Sequence, residues 1–286
     1  MRVRLFALLS AAALLVLAAL PASAADGRGQ DQAGYLALGD SVAFGYSPLI
    51  VHAGLAGNPA LFIGYPDIVA QSLELHLVNA SCPGETTGGF QSLTNGQDYA
   101  CLFYRSHWPL HVDYSTAQLA FAIQYLSTHE NVRLVTMDLG ANDVFKLATA
   151  CGGQATACFA SGLPAVLAGI DTNIRIIYKA IRNVAHYRHK LVTLTYYSLA
   201  YDAATAAGTM QLNAPIIDAS KAFHAKIASG FDAFKGPALA TPSKSSCAAG
   251  LLIVLAPGVC DVHPTPLGRD LLAGAVVRAV ENGDAN

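Results

Sequence analysis

Short apolar runs recur along this chain, each closed by a small or polar residue and followed by a helix-length stretch. That alternation restricts the fold more than any other feature. Tyr35-Leu36-Ala37-Leu38 runs into Gly39, Leu77-Val78 runs into Asn79, and longer runs cover 132–139 and 191–196. Runs of strand length with little polar–apolar alternation predict strands covered on both faces. Between and after them the sequence predicts helices. One over 68–75 follows Pro66-Asp67, one over 117–125 sits behind Ser115-Thr116 as its cap, and others cover 163–187, 214–234 and 267–280. The 163–187 stretch carries apolar residues at 3–4 spacing. Strands alternating with helices imply βαβ units and a mostly parallel sheet. Ligands of such folds bind beyond the carboxyl ends of the strands.

The two ends of the chain read differently. Arg2 and Arg4 precede an apolar run over 5–20, and Pro21 leads into Ala22-Ser23-Ala24. That order predicts a secretory signal peptide over 1–24, cut after Ala24. An uncleaved anchor is the rival, but the run is short for a span of roughly 20 residues. A polar leader follows over 25–33, and 34–286 is long enough to bury one large core as a single domain. The apolar stretch 248–257 is too short to cross a membrane. A net charge of −2 argues against a nucleic-acid partner. Nothing in the sequence calls for more than a monomer.

Six cysteines fall as neighbours: Cys82 with Cys101, Cys151 with Cys158, and Cys247 with Cys260. In an exported protein an even count predicts disulfides, and sequential pairing closes one local loop with each. Zinc is the alternative, but there is no C-x-x-C pair and the spacings are irregular.

Three short clusters carry candidate chemistry: Gly39-Asp40-Ser41, Gly140-Ala141-Asn142-Asp143 and Asp261-Val262-His263-Pro264. A serine hydroxyl is a weak nucleophile until a base takes its proton. Ser41 lies just past the first apolar run, where a turn would present its hydroxyl, although a serine after Gly-Asp is by default a turn or cap residue. Ala43 stands where the G-x-S-x-G elbow needs its second glycine. Asn142 can donate hydrogen bonds without bearing charge, and Asp143 is expected to pin the loop beside it. His263 precedes a proline-rich turn into the last helix. His107 and His111 are spaced as in some zinc sites, but Pro109 between them interrupts a helix. No H-E-x-x-H is present, so a metal-dependent hydrolase has little support. No cofactor is expected.

In order and spacing these clusters resemble the GDSL, or SGNH, hydrolases, and most of all their secreted, three-disulfide lipase and esterase branch. The resemblance runs from about Tyr35 to the terminal helix. It implies a three-layer α/β/α sandwich of flavodoxin-like type, with Ser41 as nucleophile and His263 as base. It also implies an oxyanion hole from the Ser41 N–H, a glycine N–H and the Asn142 amide. Gly84, in Ser81-Cys82-Pro83-Gly84 after the second strand, matches the family glycine, while Gly88 and Gly89 compete for the role. The family's acid stands three residues before its histidine, and here that position is Cys260. Asp261, two residues before His263, is the candidate acid, and a backbone carbonyl that leaves a Ser41–His263 dyad is the alternative.

The long apolar loop over 42–66, with Phe44, Tyr46, Leu49, Ile50, Val51, Leu61, Phe62, Ile63 and Tyr65, is expected to line an acyl pocket. Phe103, Tyr104, His107 and Trp108 are expected to add to it. The resemblance thus implies a secreted carboxylic ester hydrolase acting on lipophilic esters. Carbohydrate acetylesterase and lysophospholipase or thioesterase activities belong to the same fold. A non-catalytic secreted binding protein is the reading from another class.

Overall fold

A computed structural model describes residues 32–94 and 100–282. The signal peptide expected over 1–24 and the leader as far as residue 31 lie outside the described residues. Five strands form one sheet: β1 (Gly34–Gly39), β2 (His76–Asn79), β3 (Val132–Asp138), β4 (Lys190–Thr195) and β5 (Lys226–Ser229). The order is β2-β1-β3-β4-β5 and every pairing is parallel. All of β1 is buried, as are Leu191, Val192 and Leu194 of β4. The apolar runs are uninterrupted because both sheet faces are covered. From β1 the chain moves outward to β2, then returns to lay β3 on the other side of β1. That reversal creates a crevice at the carboxyl ends of β1 and β3, where Gly39 pairs with Asp138.

Ten α-helices, a short 3-10 helix over Pro59–Leu61 and one hairpin complete the described fold. The helices are α1 (Ser41–Phe44), α2 (Pro48–His52), α3 (Tyr65–Ser72), α4 (Cys101–His107), α5 (Gln118–Thr128), α6 (Ala141–Ala150), α7 (Ala157–Asn183), α8 (Ala203–Lys221), α9 (Gly230–Leu239) and α10 (Pro266–Glu281). The hairpin pairs β6 (Leu252–Ala256) with β7 (Val259–Pro264). Helices α5, α7 and α8 form one outer layer, and α3, α9 and α10 the other. The result is the three-layer α/β/α sandwich expected. α7 buries Ile170, Ile174, Ile177, Tyr178 and Ile181 on one stripe, and each such isoleucine contributes about 1.5–3 kcal/mol. Among the described residues α7 is the one helix long and apolar enough to cross a membrane. Its buried stripe packs into this core instead.

Two sequence expectations need correcting. The single helix expected over 214–234 is α8, then β5, then the start of α9. α8 ends because His224 takes a positive φ of 56°, which breaks the helical path. β5 then spans only four residues, too few for its pattern to stand out from helices on either side. The helix expected over 117–125 is α5, and Ser115-Thr116 does not cap it. Its N-cap is Ala117, without a side-chain bond, while the Thr116 carbonyl accepts from Arg105 Nη1 at 3.0 Å.

Candidate active site

Ser41 is the first residue of α1, at the carboxyl end of β1. Asp40 caps that helix, its Oδ1 accepting from Val42 N at 2.9 Å. Gly39 makes the turn possible with a φ of 133°, and a Cβ there would lie 2.3 Å from the Asp138 carbonyl oxygen. Gln118, fully buried at the start of α5, clamps the same residue. Its Oε1 accepts from Gly39 N at 2.7 Å and its Nε2 donates to Gly39 O at 3.1 Å. The turn that presents Ser41 is thus held by a buried side chain.

His263 reaches this turn from β7. Its Nε2 lies 2.8 Å from Ser41 Oγ, and its Nδ1 is hydrogen-bonded to Asp261 Oδ1. The same carboxylate oxygen accepts from the His263 backbone N at 2.9 Å. On a strand, residues two apart share a face, so an acid at this spacing reaches the ring directly. The β6–β7 hairpin supplies this geometry. The intervening Val262 carbonyl accepts from Tyr197 Oη at 2.6 Å, so this carbonyl is engaged elsewhere. Tyr46 packs on the imidazole with ring centroids 4.7 Å apart. Burial raises the Asp261 pKa, but the His263 hydrogen bond and charge outweigh it and hold the carboxyl below its usual range.

Asn142 lies in the first turn of α6 rather than in a loop. Its Nδ2 donates to Glu85 O at 3.0 Å and, at a longer 3.3 Å, to Asp40 Oδ2. Asp143 pins the neighbouring loop to α6. Thr87 donates to it from its backbone N at 2.9 Å and from Oγ1 at 2.6 Å. Burial raises the Asp143 pKa, which these two bonds partly offset. Gly84 has a φ of 80°, and a Cβ there would lie 2.4 Å from Ala100 Cβ. Gly84 and Asn142 line the same cavity as Ser41 and His263, and neither Gly88 nor Gly89 does. Among the described residues no acceptor lies on the backbone N–H of Ser41 or Gly84.

The cavity over these groups measures about 870 Å³. Its walls differ from those expected. Of the apolar series in the 42–66 loop only Tyr46 lines it, while Phe44 and Phe62 pack with Ala56 and Tyr104 into a separate small core. Tyr65 turns under the sheet end, and its hydroxyl donates to Asp138 Oδ1 at 3.0 Å. Phe103, Tyr104 and Trp108 do line the cavity, and His107 does not. Much of the wall comes from residues that the sequence reading did not place there: Phe145 of α6, Phe159, Leu163 and Leu167 of α7, and Ala204, Gly208 and Leu212 of α8. Their apolar spacing also suits an ordinary core, so only their shared opening onto Ser41 distinguishes them.

The three expected disulfides are present. Cys82–Cys101, Cys151–Cys158 and Cys247–Cys260 have Cα separations of 5.5, 5.5 and 6.2 Å. The cluster of Cys82, Glu85 and Cys101 has the spacing of a metal site, but both sulfurs are bonded to each other and cannot act as thiolate ligands.

A parallel α/β/α sandwich with serine, histidine and aspartate in a hydrogen-bonded row above its strand crevice has the make-up of a serine hydrolase. The chain belongs to the GDSL-like lipase/acylhydrolase family, whose sequence profile matches residues 37–271. No curated protein sequence matches it significantly. Among solved structures it is similar to phospholipase A1 from Streptomyces albidoflavus NA297, with a TM-score of 0.54 and 18% identity over 88% of this chain and 99% of that one. An extracellular lipase from Streptomyces rimosus gives a TM-score of 0.54 and 18% identity, covering 87% and 99%. Acetylxylan esterase Axe2 from Geobacillus stearothermophilus gives 0.52 and 16%, covering 87% and 94%. At such identities the likeness is one of fold.

Proposed function

We propose that this protein is an exported carboxylic ester hydrolase that cleaves esters of lipophilic acids through an acyl-enzyme on Ser41. One observation carries the reading: the Asp261–His263–Ser41 hydrogen-bond row opens directly onto a large apolar cavity. His263 Nε2 takes the Ser41 proton as Oγ attacks the ester carbonyl carbon. The oxyanion is held by the N–H groups of Ser41 and Gly84 and by the Asn142 amide, which gives up its longer bond to Asp40 Oδ2 to reach it. His263 then gives that proton to the alkoxide leaving group, which departs as the alcohol. Water repeats the sequence on the acyl-enzyme, releasing the acid and restoring Ser41. Asp261 holds the imidazole in the tautomer that carries its proton on Nδ1 and stabilises the imidazolium as it forms. The three disulfides and the expected signal peptide support export.

Helices α6, α7 and α8 form an apolar wall suited to an acyl chain. A panel of p-nitrophenyl esters from acetyl to palmitoyl tests this, with Ser41→Ala as control. Medium or long acyl groups should turn over fastest, and Ser41→Ala should abolish turnover. Activity on acetyl esters alone would favour a carbohydrate acetylesterase. No turnover on any ester would leave the binding-protein reading.

A further inference from the structure

Beneath the nucleophile turn lies a second carboxyl group that the proposed reaction does not use. Asp138 ends β3 and is 1% exposed, as is Asp40 beside it. Asp40 is fully engaged as an acceptor. Its Oδ1 takes Val42 N, and its Oδ2 takes Tyr196 Oη at 2.6 Å and Asn142 Nδ2 at 3.3 Å. Asp138 Oδ1 takes Tyr65 Oη, but among the described residues no donor reaches its Oδ2 in hydrogen-bond geometry. The two carboxyl groups nevertheless meet side chain to side chain. Two carboxylates are both acceptors, so that contact is a hydrogen bond only if one of them keeps a proton.

We infer that Asp138 carries that proton and donates it to Asp40, acting as a neutral positioning acid for the nucleophile turn and for Asn142. Asp40, with three other donors, is the member suited to negative charge. Asp138 has only the Tyr65 hydroxyl and the nearby Ala43 N–H, in a site that water does not reach, and an unpaired buried charge is costly. Burial and the neighbouring Asp40 charge both push the Asp138 carboxyl well above its ordinary range, and the Tyr65 bond and the nearby Ala43 N–H only partly offset them. The groups facing the pair from each packed element are Tyr35 of β1, Tyr65 of α3, Tyr178 of α7, Tyr196 and Tyr197 after β4, and His263 of β7. Burial raises all five tyrosines, so they remain protonated across the neutral range. The pair sits where positioning matters: a Cβ on Gly39 would lie 2.7 Å from Asp138 Oδ1, and Asp40 joins the cap of Ser41's helix to the Asn142 amide.

The sign of the resulting pH dependence is definite. An aspartate whose folded pKa is raised above its ordinary value stabilises most below that ordinary value and loses its contribution as pH rises toward the folded pKa. Urea unfolding of wild type and Asp138→Asn should be compared from pH 5 to pH 8. The folding constant of wild type should fall relative to the variant by up to about tenfold per pH unit, the slope of one proton. A flat difference over that interval overturns the inference. Asp138→Asn, which keeps an N–H donor toward Asp40, should retain turnover within a few-fold and hold it to higher pH than wild type. Asp138→Leu should lose turnover with little change in KM. Equal loss in both variants would also overturn the inference. If neither variant folds, carboxyl ¹³C NMR of aspartate-labelled wild type and Asp40→Asn decides the matter. A carboxyl still protonated at pH 7 and perturbed by Asp40→Asn supports the inference, and its absence overturns it. The positioning role rests on the proposed use of Ser41, whereas the unfolding and NMR arms need no activity. Failure of the ester panel would therefore leave the protonation result standing on its own.

Discussion

Asp261 and His263 are bound through a single carboxylate oxygen, which accepts from both the ring and the backbone of the same histidine. Asp261→Asn would offer an amide N–H to Nδ1, select the tautomer with its proton on Nε2, and leave that nitrogen unable to accept from Ser41. A loss of about 10⁴-fold in kcat with little change in KM is expected. Near-normal turnover would return the site to a Ser41–His263 dyad. Asn142→Ala should lower kcat by about 10²–10³-fold, and a change in KM alone would remove Asn142 from oxyanion binding. The residues proposed to touch the reacting atoms were readable in the sequence because their types are chemically scarce: a serine after Gly-Asp, and a histidine before the last helix. The residues that hold them were not. Gln118, Asp138 and Tyr196 are buried polar groups, and in a sequence they look the same as polar groups facing water. The one available hint was Thr136 and Asp138, which share one strand face of β3, whose only other polar residue, Arg133, lies on the opposite face.

At the scale of elements, β1, β3 and β4 stood out because continuous burial leaves a continuous apolar run. β5 and the β6–β7 hairpin did not, since β5 has one fully buried residue and Val254, Leu255 and Val259 are exposed. The hairpin matters most, because a strand makes a two-residue acid–base spacing workable where the family pattern uses three. The cavity wall was hidden for another reason: α7 and α8 present apolar residues both to the sheet and to the cavity. Gly208 of α8 tests that wall. It lines the cavity, and a Cβ there would meet nothing within 4 Å. Gly208→Leu should stabilise the isolated helix position by somewhat under 1 kcal/mol while obstructing the chain path. kcat/KM for palmitoyl esters should fall by about 10–200-fold with acetyl esters little changed. A parallel fall for both substrates would mean that α8 does not contact the acyl chain.

Across the molecule, the sheet core and the disulfides divide the work of holding the fold. The core lies between the helix layers, whereas all three disulfides lie in the segments that follow the carboxyl ends of the strands. Cys82–Cys101 ties the Gly84 segment to α4, Cys151–Cys158 joins the end of α6 to the start of α7, and Cys247–Cys260 anchors the hairpin beside Asp261. Each therefore restrains one component of the site and none crosses the sheet. They also differ in access: Cys82 and Cys101 are buried, while Cys158 and Cys260 are exposed. Mild reductant should open Cys151–Cys158 and Cys247–Cys260 first. A closed loop of about 15 residues is worth about 3 kcal/mol, a loss the hairpin bears locally because the sheet keeps its own buried core. Ester hydrolysis should then fall while far-UV circular dichroism stays unchanged, with four thiols open to alkylation and the other two protected. Cys247→Ser with Cys260→Ser should reproduce the loss without reductant. Full activity in that variant would show that packing against Tyr197 and Tyr46 alone positions His263, and loss of helical signal in step with activity would show that the disulfides support the core itself.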